Sequence, residues 1–218
     1  MASLPGLTHY IRMIAHVVGK IAVLLCMTLA AWPAAAQTRF IPLQLIIGDR
    51  WNGEETITYP SGRFVEGARD TAPSVWVGPK KWVHPKTGRT LTVYARGRDG
   101  RNAAEQVFAV RDDQTAIGRV ADSRFGISAC DQEAKYPLGR WSKGETRSFD
   151  STCWYGDKVQ PKVTTITIQE IDYTCYGQEH CLRIEWILRD KGNERTNLDH
   201  RIYDFAPNLG MVHEVKAP

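Results

Sequence analysis

Apolar and polar side chains alternate residue by residue over much of the chain after position 37. The pattern is clearest near the C-terminus, where mostly polar residues separate Leu182, Ile184, Trp186 and Leu188. Successive side chains of a β-strand point to opposite faces, so this alternation is typical of strands with one buried face. No stretch carries a sustained apolar stripe with helical spacing. The sequence therefore predicts an all-β protein of antiparallel sheets, arranged as a sandwich or a half-barrel.

Turn-forming residues separate the strand candidates in the first part of the chain. Clusters rich in Gly, Pro, Asn and Asp break the pattern between the apolar runs, as they do between the strands of hairpins. One short helix is expected, over Arg101 to Phe108. The strand candidates are Phe40 to Ile47, Thr56 to Tyr59, Ser74 to Val77, Lys81 to His84, Thr90 to Arg96, Gln106 to Arg111 and Ala116 to Val120.

The pattern also suggests how the chain is divided. Residues 37–121 are expected to form an N-terminal β region, and residues 138–218 a C-terminal β meander that carries disulfides. The weakly patterned stretch 122–137 is expected to connect the two regions. The alternative is one continuous domain over residues 37–218.

The strands of the C-terminal meander are predicted with their pairing. The apolar positions between Val163 and Tyr173 change parity at Gln169-Glu170, which indicates a bulge in a long strand. A turn at residues 207–210 is expected to send the last strand back beside its neighbour.

The pairing of the next two strands depends on the loop between them. A three-residue loop, Lys191-Gly192-Asn193, places Trp186 opposite Leu198 and Leu182 opposite Ile202. A two-residue loop shifts the pairing by one and sets polar residues against the apolar face, so we expect the longer loop.

Two C-terminal histidines follow from this register. His200 is expected on the inward face, as a hydrogen-bonded core residue. Tyr203 is expected on the reverse face, opposite His213. The register therefore predicts that the two histidines lie on different faces and do not share a metal ion.

The first 36 residues differ from the rest of the chain. They contain no Asp or Glu, they carry Arg12 and Lys20, and they run apolar from Ile21 to Trp32 before the small residues at 34–36. This is the pattern of a secretory signal peptide, with Gln37 as the first residue after cleavage. We therefore expect a periplasmic or secreted protein with no membrane span after the leader is removed; the alternative is an uncleaved N-terminal anchor.

The cysteine count agrees with export. The leader contains Cys26, and an even set of four remains, which in an oxidising compartment is more often two disulfides than a metal site. Three pairings are possible on paper. We favour Cys130 with Cys153 and Cys175 with Cys181, because each closes a short loop. The alternative for the second pair is a zinc or copper(I) site built from Cys175, Glu179, His180 and Cys181.

Charge and motifs exclude several classes of function. The formal net charge is +4 for the whole chain, and the leader holds two of the positive charges. Arginines alternate with acids instead of forming one basic face, so no nucleic-acid partner is expected. The chain has no Gly-x-Ser-x-Gly, His-Glu-x-x-His, phosphate-loop or dinucleotide motif. We predict no catalytic residues, no metal and no cofactor.

Tryptophans are the remaining positive feature. Trp186 is expected in the core. Trp141 and Trp154 flank a turn-rich segment beside the proposed Cys130–Cys153 bridge and are candidates for ligand binding by stacking, since exported β-proteins use tryptophans to hold sugars or partner surfaces. An envelope component or a glycan is the kind of partner that this implies.

Two segments resemble a module of bacterial exported proteins. They are Lys143-Gly144-Glu145 and the run from Tyr203 to Glu214, which reads Tyr-Asp-Phe-Ala-Pro-Asn-Leu-Gly-Met-Val-His-Glu. The order of an aromatic strand end, Ala/Ser-Pro-x-x-Gly and a short valine-bearing strand is similar to the extracytoplasmic β-rich proteins called TapB-like. The resemblance implies no assigned catalytic residues. The sequence favours an exported, non-enzymatic β-rich binding or envelope-associated protein; the alternative is a secreted hydrolase or metal-dependent enzyme whose site is dispersed in sequence.

Overall fold

Antiparallel strands make up most of the protein, which confirms the all-β class that the alternation predicted. The computed structural model describes residues 37–48, 57–59, 74–98, 106–122, 128–193 and 195–217. One helix, α1 (Leu43–Ile47), follows the first strand. The strands in chain order are β1 (Thr38–Ile41), β2 (Ile57–Tyr59), β3 (Ser74–Val83), β4 (Thr90–Arg98), β5 (Gln106–Val110), β6 (Ala116–Asp122), β7 (Ser128–Pro137), β8 (Gly139–Ser142), β9 (Thr146–Tyr155), β10 (Lys158–Cys175), β11 (Gln178–Asp190), β12 (Asp199–Ala206) and β13 (Gly210–Lys216).

Eleven of these strands form one sheet, in the order β13-β12-β11-β10-β9-β7-β6-β5-β4-β3-β2, and β1 pairs with β8. Neighbours in the sheet are also neighbours in sequence, except that β9 pairs with β7 because β8 joins β1. The stretch 122–137 was predicted to connect two β regions. This prediction is wrong, because the stretch contains β7 and so contributes a strand to the sheet.

The sheet bends so that strands from both ends contribute to one hydrophobic core. The ring of Tyr136 on β7 lies 5.9 Å from that of Phe108 on β5, between ring centroids. The same ring lies 5.4 Å from Tyr203 and 5.4 Å from Phe205, both on β12. Aromatic pairs at these separations add to the free energy that burial of the rings provides. The C-terminal meander therefore packs against the earlier strands.

The segment predicted as a strand over Phe40 to Ile47 is instead a short strand followed by a helix. β1 ends at Ile41, and Pro42 comes next, which has no amide hydrogen to donate to a strand. The apolar run after Pro42 is buried whether it is helical or extended, so its composition did not distinguish the two. In the helix the buried residues are Leu45, Ile46 and Ile47.

The short helix predicted over 101–108 is also wrong where the structure describes it. Gln106–Val110 is β5, a strand paired with β4 on one side and β6 on the other. Pairing with two neighbouring strands outweighs the helical tendency of this segment, because helices shorter than about 12–15 residues are only marginally stable by themselves. Residues 101–105 lie outside the described part of the chain.

The hairpin of β10 and β11 confirms the predicted bulge and the predicted buried face. The register of the two strands shifts between Ile168 and Glu170, where the apolar parity changes in the sequence. Trp186 lies in the core, and its indole nitrogen donates a hydrogen bond to the carbonyl oxygen of Ala134 at 2.9 Å. The last strand returns beside β12 after the turn at residues 207–210, as predicted.

The predicted pairing of β11 with β12 is wrong. Trp186 pairs with Arg201 instead of Leu198, because the loop after Asp190 is longer than three residues and pairing begins at Asp199. This shift turns β12 over, so that Tyr203 faces the core and Leu198 is 46% exposed. Burial of Tyr203 and Phe205 removes more apolar surface from water than burial of Leu198 and Ile202, the residues that the predicted register placed inside.

The histidines move with this register. His200 does not face the core: its Nε2 lies 2.7 Å from Oε1 of Glu185 on the other face of the sheet. His213 lies on that same face, opposite Asp204. The prediction that the two histidines lie on different faces is therefore wrong. Positions 200 and 204 are four residue steps apart along the strand, or about 13 Å, and His213 lies beside position 204, so the two histidines are too far apart to bind one metal ion.

Candidate functional site around Lys135

The structure places Trp141, a predicted ligand-binding residue, in the core. Its side chain is 0% exposed, and its indole nitrogen donates to the carbonyl oxygen of Leu138 at 2.9 Å. The guanidinium carbon of Arg147 lies 3.9 Å from the ring centroid. A ligand has no ring surface to stack on, so we assign Trp141 to the core instead.

Trp154 is half-buried on β9, opposite Val159, which is exposed. The ring of His84 lies edge-on to it at 5.7 Å, and the ring of Trp82 lies 5.4 Å beyond, between centroids. These rings leave part of Trp154 open at the surface. Its role in ligand binding stays a prediction.

Both predicted disulfides are present. Cys130 is bonded to Cys153, and Cys175 to Cys181. The first joins β7 to β9 at their short paired segment, and the second lies across the hairpin end of β10 and β11. All four cysteines after residue 36 are thus bonded in pairs, so Cys175 and Cys181 offer no thiolates to the alternative metal site.

A buried carboxylate touches the first disulfide. Oε2 of Glu133 lies 3.8 Å from the sulfur of Cys130 and 3.5 Å from that of Cys153. Within the part of the chain that the structure describes, these three residues are the cluster with the spacing of metal ligands. Disulfide sulfurs carry no thiolate charge, so the cluster is not a metal site in this form.

Glu133 is paired with a buried arginine. Arg119 donates to Glu133 at 2.6 Å and to Asp122 at 2.8 Å, and Gln106 donates to Asp122 at 3.0 Å. Burial alone lowers the pKa of Arg119, but the two carboxylates outweigh it and raise that pKa. Arg119 is therefore held between two carboxylates.

Lys135 follows two positions later on β7 and has no such carboxylate partner among the described residues. Its side chain is 6% exposed, and its ammonium nitrogen lies 3.2 Å from the ring centroid of Trp186 and 5.0 Å from that of Tyr203. No described residue accepts a hydrogen bond from this nitrogen. Burial lowers the pKa of Lys135 to about 7, although the carboxylate of Glu214 acts in the opposite direction. The Trp186 ring also favours the charged form.

Partly exposed charges lie beside Lys135 at the edge of the sheet. The register places Asp199, Arg201 and Glu214 on the inward face of β12 and β13, next to Tyr203. Arg201 binds Asp199 at 2.8 Å and Glu214 at 3.5 Å. The phenol oxygen of Tyr203 is buried and has no hydrogen-bond partner in the described structure. The site therefore combines a buried amine, two aromatic walls, an unpartnered hydroxyl and a charged rim.

A second buried charge lies on the opposite face of β12. Asp204 is 0% exposed and accepts hydrogen bonds from Tyr173 at 2.6 Å, Tyr176 at 3.3 Å and two guanidinium nitrogens of Arg183 at 2.7 and 3.1 Å. Nδ1 of His213 lies 3.0 Å away and donates, because an ionised carboxylate only accepts. Burial alone raises the pKa of Asp204, but these donors outweigh it and hold that pKa well below its usual value.

Sequence reasoning missed both buried charges. Lys135 alternates with Ala134 and Tyr136, the pattern of a residue on a solvated strand face, and it lies in the stretch described as a connection. Asp204 lies between two aromatic residues in the same way. Nothing in the sequence marked either residue, because each is buried by strands that are distant along the chain.

In a comparison with known proteins, no family model, no curated protein and no solved structure matches the chain. Among the described residues, no helix combines the length and the apolar composition that a membrane crossing requires.

Proposed function

We propose that the protein is an exported, non-enzymatic binding protein, and that the surroundings of Lys135 are its binding site. The observation that carries this proposal is the amine of Lys135, buried against Trp186 with no hydrogen-bond acceptor among the described residues. A charge that is largely withdrawn from water and has no protein acceptor costs free energy. An oxygen atom of a ligand supplies the acceptor.

The neighbours of Lys135 narrow the ligand class. The phenol of Tyr203 offers a second unpartnered donor, and the rings of Trp186 and Tyr203 offer apolar surface. The carboxylates of Asp199 and Glu214 at the rim repel polyanions. These neighbours favour a small molecule that carries carbonyl or carboxylate oxygens together with an apolar part.

Three features support export to the periplasm or the extracellular space. Residues 1–36 have the composition of a signal peptide. The two disulfides are consistent with a location outside the cytoplasm. The resemblance to TapB-like extracytoplasmic proteins agrees with both. An envelope component or a glycan remains the predicted macromolecular partner, with Trp154 as its contact.

Calorimetric titration of the exported protein with pyruvate, which carries a carboxylate and a ketone, tests the site. We expect saturable binding that Lys135→Met weakens about 10- to 100-fold, because a hydrogen bond to a charged group contributes roughly 1.5–3 kcal/mol. The matched control is Lys191→Met, which removes an exposed lysine paired with Asp150 and leaves binding unchanged. Equal affinity in wild type and Lys135→Met contradicts the proposal, as does wild-type protein that does not bind pyruvate.

One observation favours the alternative, a secreted hydrolase. Asp204 fixes His213 with its proton on Nδ1, so that Nε2 is the basic nitrogen, as in a general base oriented by a carboxylate. An esterase assay with p-nitrophenyl acetate separates the two functions. Turnover that His213→Gln abolishes and Lys135→Met preserves favours the enzyme.

A further inference from the structure

We propose that Lys135 captures small aldehydes covalently, by forming an imine between its side-chain nitrogen and the carbonyl carbon. The inference rests on the proposed function, because it assigns a ligand class to the same site. It starts from the difference between Lys135 and the other lysines of the described residues.

Lys162 provides the closest internal contrast. It is also buried, since only 3% of the residue is exposed, but its nitrogen donates a hydrogen bond to a carboxylate oxygen of Asp190. Lys143 and Lys191 are exposed and are paired with Glu170 and Asp150, each at 2.6 Å. The nitrogens of these three lysines are thus engaged with carboxylates, and a nitrogen in an ion pair has no lone pair to attack a carbonyl carbon.

Lys135 has the surroundings of a nucleophilic lysine. Its nitrogen faces an indole ring at 3.2 Å and a phenol ring at 5.0 Å, and no carboxylate of the described residues forms an ion pair with it. The charged groups that act on it are Glu133 and Arg119 from the neighbouring network and Asp199 and Glu214 from the rim. Burial outweighs the three carboxylates and lowers the pKa of Lys135 to about 7. Near neutral pH, a large share of these amines is therefore unprotonated.

The chemistry balances without an added oxidant or reductant. The lone pair of the Lys135 nitrogen forms a bond to the aldehyde carbon, and a proton moves from nitrogen to the former carbonyl oxygen. The resulting carbinolamine loses its hydroxyl group as water, taking the second proton from nitrogen, and the C=N bond forms. One amine and one aldehyde thus give one imine and one water molecule. The aromatic walls exclude bulk water, which favours the imine over its hydrolysis.

Reductive trapping at pH 6.5 tests the inference on wild-type protein. The probe is acetaldehyde with cyanoborohydride, which reduces an imine to a stable ethylamine, followed by peptide mapping. At this pH an exposed lysine with an ordinary pKa of about 10.4 is unprotonated about once in ten thousand molecules. We expect ethylation of Lys135 at least about tenfold faster than that of Lys191 or Lys162, and a loss of this selectivity by pH 10.

The α-amino group of a short reference peptide added to the reaction is the internal standard, because its ordinary pKa of about 7.7 also makes it reactive near neutral pH. Modification of that peptide with none at Lys135, or equal rates at Lys135 and Lys191, overturns the inference. If pyruvate binds in a Lys135-dependent way and no aldehyde adduct forms, covalent capture fails and the binding function stands. If neither occurs, both fail.

Discussion

Asp204 and Lys135 are two buried charges on opposite sides of strand β12, and their surroundings differ completely. The carboxylate of Asp204 accepts five hydrogen bonds from four side chains. The ammonium of Lys135 donates none to a described residue and lies on an aromatic ring. Buried charges persist in proteins when partners compensate them or when function requires them. We therefore interpret Asp204 as a structural charge and Lys135 as a functional one.

The pKa values of the two residues are both lowered, but for opposite physical reasons. Donors stabilise the charged form of Asp204 and lower its pKa, whereas desolvation disfavours the charged form of Lys135 and lowers its pKa as well. For an acid a lowered pKa reports a net favourable environment for the charge, and for a base it reports an unfavourable one. Substitution should therefore destabilise the protein at Asp204 and stabilise it at Lys135.

The largest effect is expected for Asp204→Asn. Loss of the buried carboxylate leaves Arg183 without its charge partner, and we expect the free energy of unfolding to fall by about 2–4 kcal/mol. Urea unfolding at pH 7 measures it. Because folding lowers the pKa of Asp204, its contribution is present above pH 4 and is lost as the pH falls below that, so the two proteins should converge in acid. Asp150→Asn, at an exposed ion pair, is the control and should change stability little. A stable Asp204→Asn variant contradicts the structural interpretation.

A smaller effect of opposite sign is expected for Lys135→Met. The two side chains have similar volume, and methionine carries no charge to desolvate, so unfolding at pH 7 should require roughly 1–3 kcal/mol more. Because folding lowers the pKa of Lys135 from about 10.4 in the unfolded chain, the unfolded state binds more protons between about pH 7 and pH 10. Wild-type stability should therefore rise over that range and the variant should lack this rise. A variant less stable than wild type shows that the contact with Trp186 outweighs desolvation.

The smallest effect is expected for Tyr173→Phe. The substitution removes one donor to Asp204 and leaves four hydrogen bonds in place, so the cost should be only about 0.5–1.5 kcal/mol. The ring and its packing are unchanged, and thermal or urea unfolding measures the difference. A loss as large as that of Asp204→Asn indicates that the network depends on this one hydroxyl.

Local pattern was enough to predict much of the fold. The alternation around Trp186 identified the buried face of β11, and the change of parity at Gln169 identified the bulge of β10. Both disulfides followed from the short loops that they close. These features depend on residues close together in sequence.

The errors lie in segments whose orientation or burial depends on contacts with strands distant along the chain. β12 has apolar residues of both parities, Ile202 on one face and Tyr203 on the other, so its sequence permits either orientation. Contact with Tyr136 on β7 selects the face that carries Tyr203. Lys135 has a solvated pattern for the same reason: Trp186, from a strand far along the chain, covers it. No local rule contains this information.

The charges at the rim of the site also protect the sheet itself. β13 ends the described sheet and presents an edge that no described strand pairs with. Such an edge is a template on which a strand of another molecule can add and aggregation can start. Glu214 and Lys216 lie on the inward face of β13, beside Tyr203 and Arg201 of β12. A strand added to β13 would bring its own side chains next to these charges, and charged residues on an edge strand disfavour such addition. The residues that border the candidate site therefore also disfavour edge-to-edge association of two molecules.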